Sequence, residues 1–129
     1  MTGHRFMLRV YYEDTDLAGI VYYANYLKFI ERARSEWVRA LGIDQRRMQA
    51  ETGVVFAVRR VEADFLRPAV LDDLLTVVTR VERRGGASLT LMQEVRREGE
   101  PIFAARVVLA AMGPQGATRL PAALRRAIA

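Results

Sequence analysis

Apolar and polar positions along the chain fall into segments of two different periods. From Arg5 to Tyr12, Phe6, Leu8 and Val10 alternate with Arg5 and Arg9, the period-two pattern of a half-buried strand. The next stretch breaks that alternation with Glu13-Asp14-Thr15-Asp16 and then Ala18-Gly19, and reads as a loop up to Tyr23. Tyr26, Ile30, Ala33, Trp37 and Leu41 then recur every three or four positions, with Lys28, Arg32, Ser35 and Arg39 opposite. This spacing predicts a long amphipathic helix with Asn25 as its N-cap and Gly42 as its stop. Asp44 is placed to cap a shorter helix that ends near Thr52.

The second half returns to period two. Val54, Phe56 and Val58 alternate, and the pattern resumes one position out of phase at Val61, Ala63 and Phe65, which predicts a long bulged strand ended by Pro68. Leu74 to Arg83 and Leu89 to Arg97 read as strands joined by a Gly85-Gly86 hairpin turn. Glu98-Gly99-Glu100-Pro101 makes a second turn, and Ile102 to Met112 is apolar on both faces, as in a strand covered on both sides. Pro121 is placed to open a short terminal helix. The order predicts an α+β fold, an antiparallel sheet of about five strands packed on one long helix. The 129 residues fit a single domain over the whole chain. So few strands around one helix also suit pairing with a second copy.

Composition narrows the chemistry. There is no cysteine, which excludes thiol nucleophiles and iron–sulfur clusters, and His4, expected in a mobile N-terminal stretch, is the only histidine. Neither serine, Ser35 or Ser88, lies in a G-x-S-x-G elbow, and no phosphate-binding G-x-x-x-x-G-K-[ST] loop occurs. No apolar run reaches the roughly 18 residues of a membrane span and the N-terminus lacks a signal-peptide core, so a cytoplasmic protein is expected. Carboxylates, tyrosines, arginines, backbone N–H groups and water remain, with no metal or redox cofactor implied. The net charge of +5 rests almost wholly on arginine. That is either a solvated surface or a means of holding a phosphate-bearing ligand.

The loop from Asp14 to Tyr23 leads into the start of the long helix, where free N–H groups and the positive dipole end can hold a developing negative charge. A carboxylate beside such a site can activate water or attack an acyl carbon while the donors polarise the carbonyl. Gly19 lets a ligand approach the backbone closely. On spacing alone, a capped turn and packed tyrosines account for the same residues.

The run Arg9-Val-Tyr-Tyr-Glu-Asp-Thr-Asp-Leu-Ala-Gly-Ile-Val-Tyr-Tyr-Ala-Asn-Tyr-Leu-Lys-Phe-Ile-Glu-Arg-Ala-Arg-Ser-Glu-Trp resembles the Tol-Pal-associated acyl-CoA thioesterases, relatives of 4-hydroxybenzoyl-CoA thioesterase in the hotdog superfamily. The likeness continues through Phe56-Ala-Val-Arg, Asp64-Phe-Leu-Arg-Pro-Ala-Val-Leu-Asp-Asp and Arg84-Gly-Gly-Ala-Ser-Leu, to about Leu120-Pro121. It implies a hotdog fold, a helix wrapped by an antiparallel sheet, and homodimers or homotetramers with active sites at the dimer interface. It also implies that Asp16, second acid of the D-x-D motif, is the catalytic carboxylate and that Asp14 is structural. The Tyr23 N–H would polarise the thioester carbonyl. Many such thioesterases carry histidine where this chain has Tyr23, whose ordinary pKa near 10 makes it no substitute for a neutral-pH base, so its side chain either only shapes the pocket or donates a hydrogen bond. Tyr22 and Phe56 are further candidate substrate-binding residues.

The function read from the chain is hydrolysis of an acyl-CoA thioester, Asp16 acting as general base or as nucleophile. Arg59, Arg60, Arg67, Arg83, Arg84 and Arg106 are candidate partners of the CoA phosphates. An acyl-carrier-protein thioester is an alternative substrate. A hotdog hydratase or dehydratase would need a catalytic histidine, which His4 is badly placed to supply. A non-catalytic acyl-CoA or carrier-protein binding subunit is a second alternative. A basic nucleic-acid-binding module is a third, against which the charges are scattered and no recognition motif is present.

Overall fold

The computed structural model describes residues 3–128. In it the period-two segments pair into one antiparallel sheet: β1 (His4–Arg9), β2 (Val55–Phe65), β3 (Leu74–Arg84), β4 (Ser88–Arg97), β5 (Glu100–Gly113) and the two-residue β6 (Gly116–Ala117). The spatial order is β1-β3-β4-β5-β2, with β6 paired to the end of β5. Tight turns hold β3, β4 and β5 together as neighbours. Between β1 and β2 the chain instead forms helices α1 (Asn25–Ala40) and α2 (Gln45–Thr52), which carry it across the sheet. Both strands therefore end as edges.

The helix-facing side of the sheet follows the register. Val77 lies opposite Val95, Val95 opposite Phe103, and Leu91 opposite Val107, and all of these are buried. Helix α1 covers them with Tyr26, Phe29, Ile30, Ala33, Trp37 and Val38. Fully burying a side chain such as Phe29 or Phe103 contributes about 1.5–3 kcal/mol, so truncating either to alanine removes a large part of a small domain's stability. One polar group interrupts this layer. Gln93, at 0% exposure, donates to Ile30 O and Thr79 Oγ1, both at 2.9 Å, and accepts from Arg34 at 3.0 Å.

The bulge expected in the long strand falls between Val58 and Arg60, leaving Arg59 as the extra residue. A second bulge, between Val81 and Arg83, has no signal in the alternation. Helix α3 (Ala122–Ala127) begins after Pro121 and buries Leu124.

Four local expectations are corrected. Ala24, not Asn25, holds the N-cap position, and no side chain caps the helix. The Asn25 amide instead donates to Asp14 O at 2.9 Å. Strand β1 stops at Arg9 rather than Tyr12, because Tyr12–Asp14 winds into a 3-10 turn closed by Thr15 N–H to Tyr12 O. His4 opens β1 opposite Thr79 and is not part of a loose terminus. Beyond Phe103, strand β5 buries one face only, since Ala104, Val108 and Ala110 are half-buried and Arg106 is exposed on the outer side.

Candidate active site

The site is built where the first strand runs into the helix. Asp14 organises the loop: its Oδ2 accepts the Tyr11 N–H at 2.8 Å, and its carbonyl accepts both the Tyr22 N–H and the Asn25 amide at 2.9 Å. These bonds tie the loop directly to the first turn of α1. Asp14 thus ties the loop together through Oδ2 and its carbonyl, while its Oδ1 has no partner among the described residues.

Asp16 is placed differently. Its backbone closes a turn, with Asp16 N–H donating to Ile20 O and Gly19 N–H donating to Asp16 O, both at 2.9 Å. Gly19 sits at φ +83°, a left-handed conformation that favours glycine, and a Cβ there would meet open space. A Thr15–Val21 bridge closes the loop, and Ile20 bridges to Val70. The Asp16 side chain is exposed and accepts one hydrogen bond, from the Ala18 N–H at 2.9 Å to Oδ1. Among the described residues Oδ2 has no partner. The turn therefore orients the carboxylate and leaves one oxygen available.

The helix start supplies open donors. Asn25 N–H donates to Tyr22 O at 2.8 Å, Tyr26 N–H to Tyr23 O at 3.3 Å and Leu27 N–H to Ala24 O at 3.1 Å, so the first turn is tightened in the 3-10 manner. Among the described residues the N–H groups of Tyr23 and Ala24 have no acceptor. Lacking a side-chain cap, they stand at the positive end of α1 and can receive an anionic oxygen.

Aromatic rings wall this end. Tyr23, 62% exposed, packs against Tyr22 at 4.9 Å and edge-on to Phe65 at 6.1 Å. Phe65 continues to Tyr26 and Phe103, and Tyr26 stacks on Phe103 at 4.8 Å. Burial pushes the Tyr26 phenol above its usual value, against the effects of an Ala69 backbone hydrogen bond and the Arg97 charge. It is a neutral wall residue near pH 7.

The fold thus gathers Asp16, Gly19, Tyr22 and Tyr23. Within one chain it does not bring Phe56 to them. Phe56 pairs with Ala111 near the far end of β2, about 30 Å along the strand from Phe65, and lines a cleft with Val38, Gln45 and Leu109. Phe65, which packs against Tyr23 and Tyr26, was not singled out by sequence reasoning. Its signal was the alternation that places it on the helix side of β2.

Several candidate phosphate-binding arginines are already engaged: Arg60 with Glu62 at 3.3 Å, Arg67 with Glu100 at 2.9 Å, and Arg106 with Glu82 at 2.8 Å. Arg84 donates to Arg125 O at 3.0 Å. Among the described residues Arg59 and Arg83 make no side-chain hydrogen bond or ion pair. No three His, Cys, Asp or Glu side chains among those residues are grouped to hold a metal ion, and no helix is long and apolar enough to cross a membrane.

Known proteins share this architecture. Residues 18–104 match the family model described as the Thioesterase superfamily. The acyl-CoA thioesterase YbgC of Haemophilus influenzae is 44% identical over 95 residues, 74% of this chain and 70% of that protein. The acyl-CoA thioester hydrolase YbgC of Escherichia coli O6:H1 is 40% identical over 114 residues, 88% of this chain and 84% of that one. The crystal structure of a probable thioesterase from Bartonella henselae superimposes with a TM-score of 0.89 at 38% identity, covering 93% of this chain and 100% of that one. On this likeness in sequence and in the helix-wrapping sheet alike, the chain belongs to the thioesterase superfamily and has its hotdog fold.

Proposed function

We propose that the chain hydrolyses acyl-CoA thioesters to the free acid and CoA, with Asp16 as the catalytic carboxylate and the Tyr23 N–H as the group that polarises the carbonyl. The observation that carries this reading is the pairing of an oriented carboxylate having one free oxygen with unfilled N–H donors at a helix start. The relatives' names supply the substrate class. As general base, Asp16 takes a proton from water as its oxygen attacks the thioester carbon, and CoA leaves as the thiol. As nucleophile, the carboxylate attacks the carbon itself, CoA leaves, and water then cleaves the mixed anhydride. In both routes the carbonyl oxygen gains negative charge, which donors at the helix start stabilise. Gly19 leaves the loop face open, and Tyr22 and Tyr23 wall the thioester.

The working unit is a cytoplasmic homodimer joined through β2. That strand is a sheet edge with Val58, Val61 and Phe65 exposed on its helix side. Exposed apolar edges call for cover. Pairing two β2 strands antiparallel about Val61 sets Arg60 of each copy opposite Glu62 of the other. A two-fold at Arg60 or at Glu62 would instead oppose like charges. Past the Arg59 bulge the phase shifts by one position, so Phe56 of the second copy falls beside Phe65. In this assembly Phe56 reaches the pocket from the other chain. Thiol release from a panel of short-chain, long-chain and aromatic acyl-CoAs tests the activity. Turnover of at least one supports it, and no turnover of any, with the protein folded, sinks it.

A further inference from the structure

The groove between α1 and β2 holds an arginine whose surroundings do not balance its charge. Leu27, Lys28, Ile30, Glu31, Arg34, Val58 and Val61 line a space of about 320 Å³, and Arg34 also lines the adjoining cleft with Phe56. Its guanidinium is half-buried and bonds only to the neutral Gln93 Oε1, which is fixed by Gln93's own bonds to Ile30 O and Thr79. Among the described residues no carboxylate lies within 4.0 Å of it, although far more exposed arginines such as Arg47 and Arg106 have such partners. Burial lowers its proton affinity below the usual value, and Glu31 acts the other way. A desolvated cation left with a single neutral acceptor is costly. Glu31, one turn earlier on the same face, is exposed and engages only the Ser35 hydroxyl, at 2.7 Å.

We infer that Arg34 of one copy pairs with Glu31 of a second copy across the seam formed by β2, making this stretch of the groove a protein–protein interface. The inference rests on the dimer reading above. Helix α1 runs opposite to β2, because Tyr26 touches Phe65 at one end while Val38 and Phe56 share a cleft at the other. Ile30 and Glu31 therefore lie near Val61, the position on the two-fold. That axis brings in the second α1 antiparallel, with its Leu27 opposite Arg34 and its Glu31 about one helical turn, roughly 5.4 Å, away. Both side chains are long enough to close that offset. The groove is self-complementary: each copy presents one half-buried cation and one weakly engaged anion, flanked by the exposed apolar Leu27, Val58 and Val61.

Sedimentation of the intact protein over a dilution series tests the pair. Glu31→Arg, a surface change that leaves the core intact, and Arg34→Glu should each weaken self-association about 30-fold or more. Mixing the two variants should restore it, because both cross-seam pairs then join opposite charges. The Glu31→Arg/Arg34→Glu double variant should recover as a homodimer. If the wild type dimerises and Glu31→Arg does so equally well, with no rescue on mixing, the pair is absent and the dimer reading survives. In that case, a loss by Arg34→Glu of turnover confined to acyl-CoAs ending in a carboxylate would make the substrate the missing anion, also overturning the pair. A wild type monomeric at every concentration defeats both readings.

Discussion

Replacing the peptide bond before Tyr23 with an ester, by incorporating the α-hydroxy analogue of tyrosine, removes one N–H and leaves the side chain in place. That N–H makes no hydrogen bond within the described residues, so the loss to folding is confined to the altered Tyr22 carbonyl. This oxygen accepts the Asn25 N–H at 2.8 Å, and an ester carbonyl accepts less strongly, at a cost of about 0.5–1 kcal/mol. If the Tyr23 N–H holds the developing oxyanion, kcat should fall about 100-fold or more, equivalent to about 2.7 kcal/mol of transition-state stabilisation. Tyr23→Phe provides the contrast. The ring keeps its contacts with Tyr22 and Phe65, the lost hydroxyl has no partner among the described residues, and kcat should change by less than about threefold. Thiol release from the best acyl-CoA, measured on the ester, the Phe variant and an ester at Ala24, reads all three. A Phe variant reduced about 100-fold with an unaffected Tyr23 ester would refute the backbone account and give the role to the phenol.

Gln93→Leu should cost about 2–4 kcal/mol in urea unfolding, because it strips Arg34 and Thr79 of a buried partner; a loss below about 0.5 kcal/mol would mean the network is dispensable. Tyr26→Phe addresses pH. The folded phenol holds its proton above the ordinary value, so its contribution to stability is intact below the unfolded pKa near 10 and is lost as pH rises through the folded value. Thermal unfolding of wild type should thus weaken above about pH 10, with a shallower decline in the Phe variant, and equal declines would contradict the burial of the phenol. Asp14→Ala should lower stability by about 1 kcal/mol through loss of the Tyr11 N–H bond, with kcat per folded enzyme retained; a kcat defect without a stability defect would contradict its structural role.

Much of the fold was legible because α1, β3, β4 and β5 each bury one side. The three-to-four spacing of Tyr26, Ile30, Ala33 and Trp37 set the helix, and the phase slip after Val58 marked the bulge at Arg59. Errors arose where long-range bonds decide. Asn25 has the chemistry of an N-cap, but its amide is drawn to the Asp14 carbonyl, a contact that exists only once the loop has folded back. The apolar run at Ile102–Met112 did not reveal that Ala104 and Ala110 face outward while Ala105 and Ala111 face the core, since alanine serves either side of a sheet. Asp14, Asp16 and Tyr23 were put forward from the motif and its resemblance to known thioesterases, and their roles stand as proposals. The open donors at Tyr23 and Ala24 were not visible at residue level, because they depend on the helix starting without a side-chain cap. Nor did periodicity show Arg34 turned toward Gln93, since an arginine on a helix face looks the same whether it meets solvent or a buried amide.

The most direct measurement is kcat for Asp16→Asn on the best acyl-CoA, determined on protein whose unfolding midpoint and assembly match wild type. Asparagine keeps an Oδ1 to accept the Ala18 N–H, so the turn is preserved and only the charge is removed. The account predicts a fall of about 100-fold or more with KM little changed. A variant that retains near wild-type kcat would show that the carboxylate doing the chemistry is not Asp16.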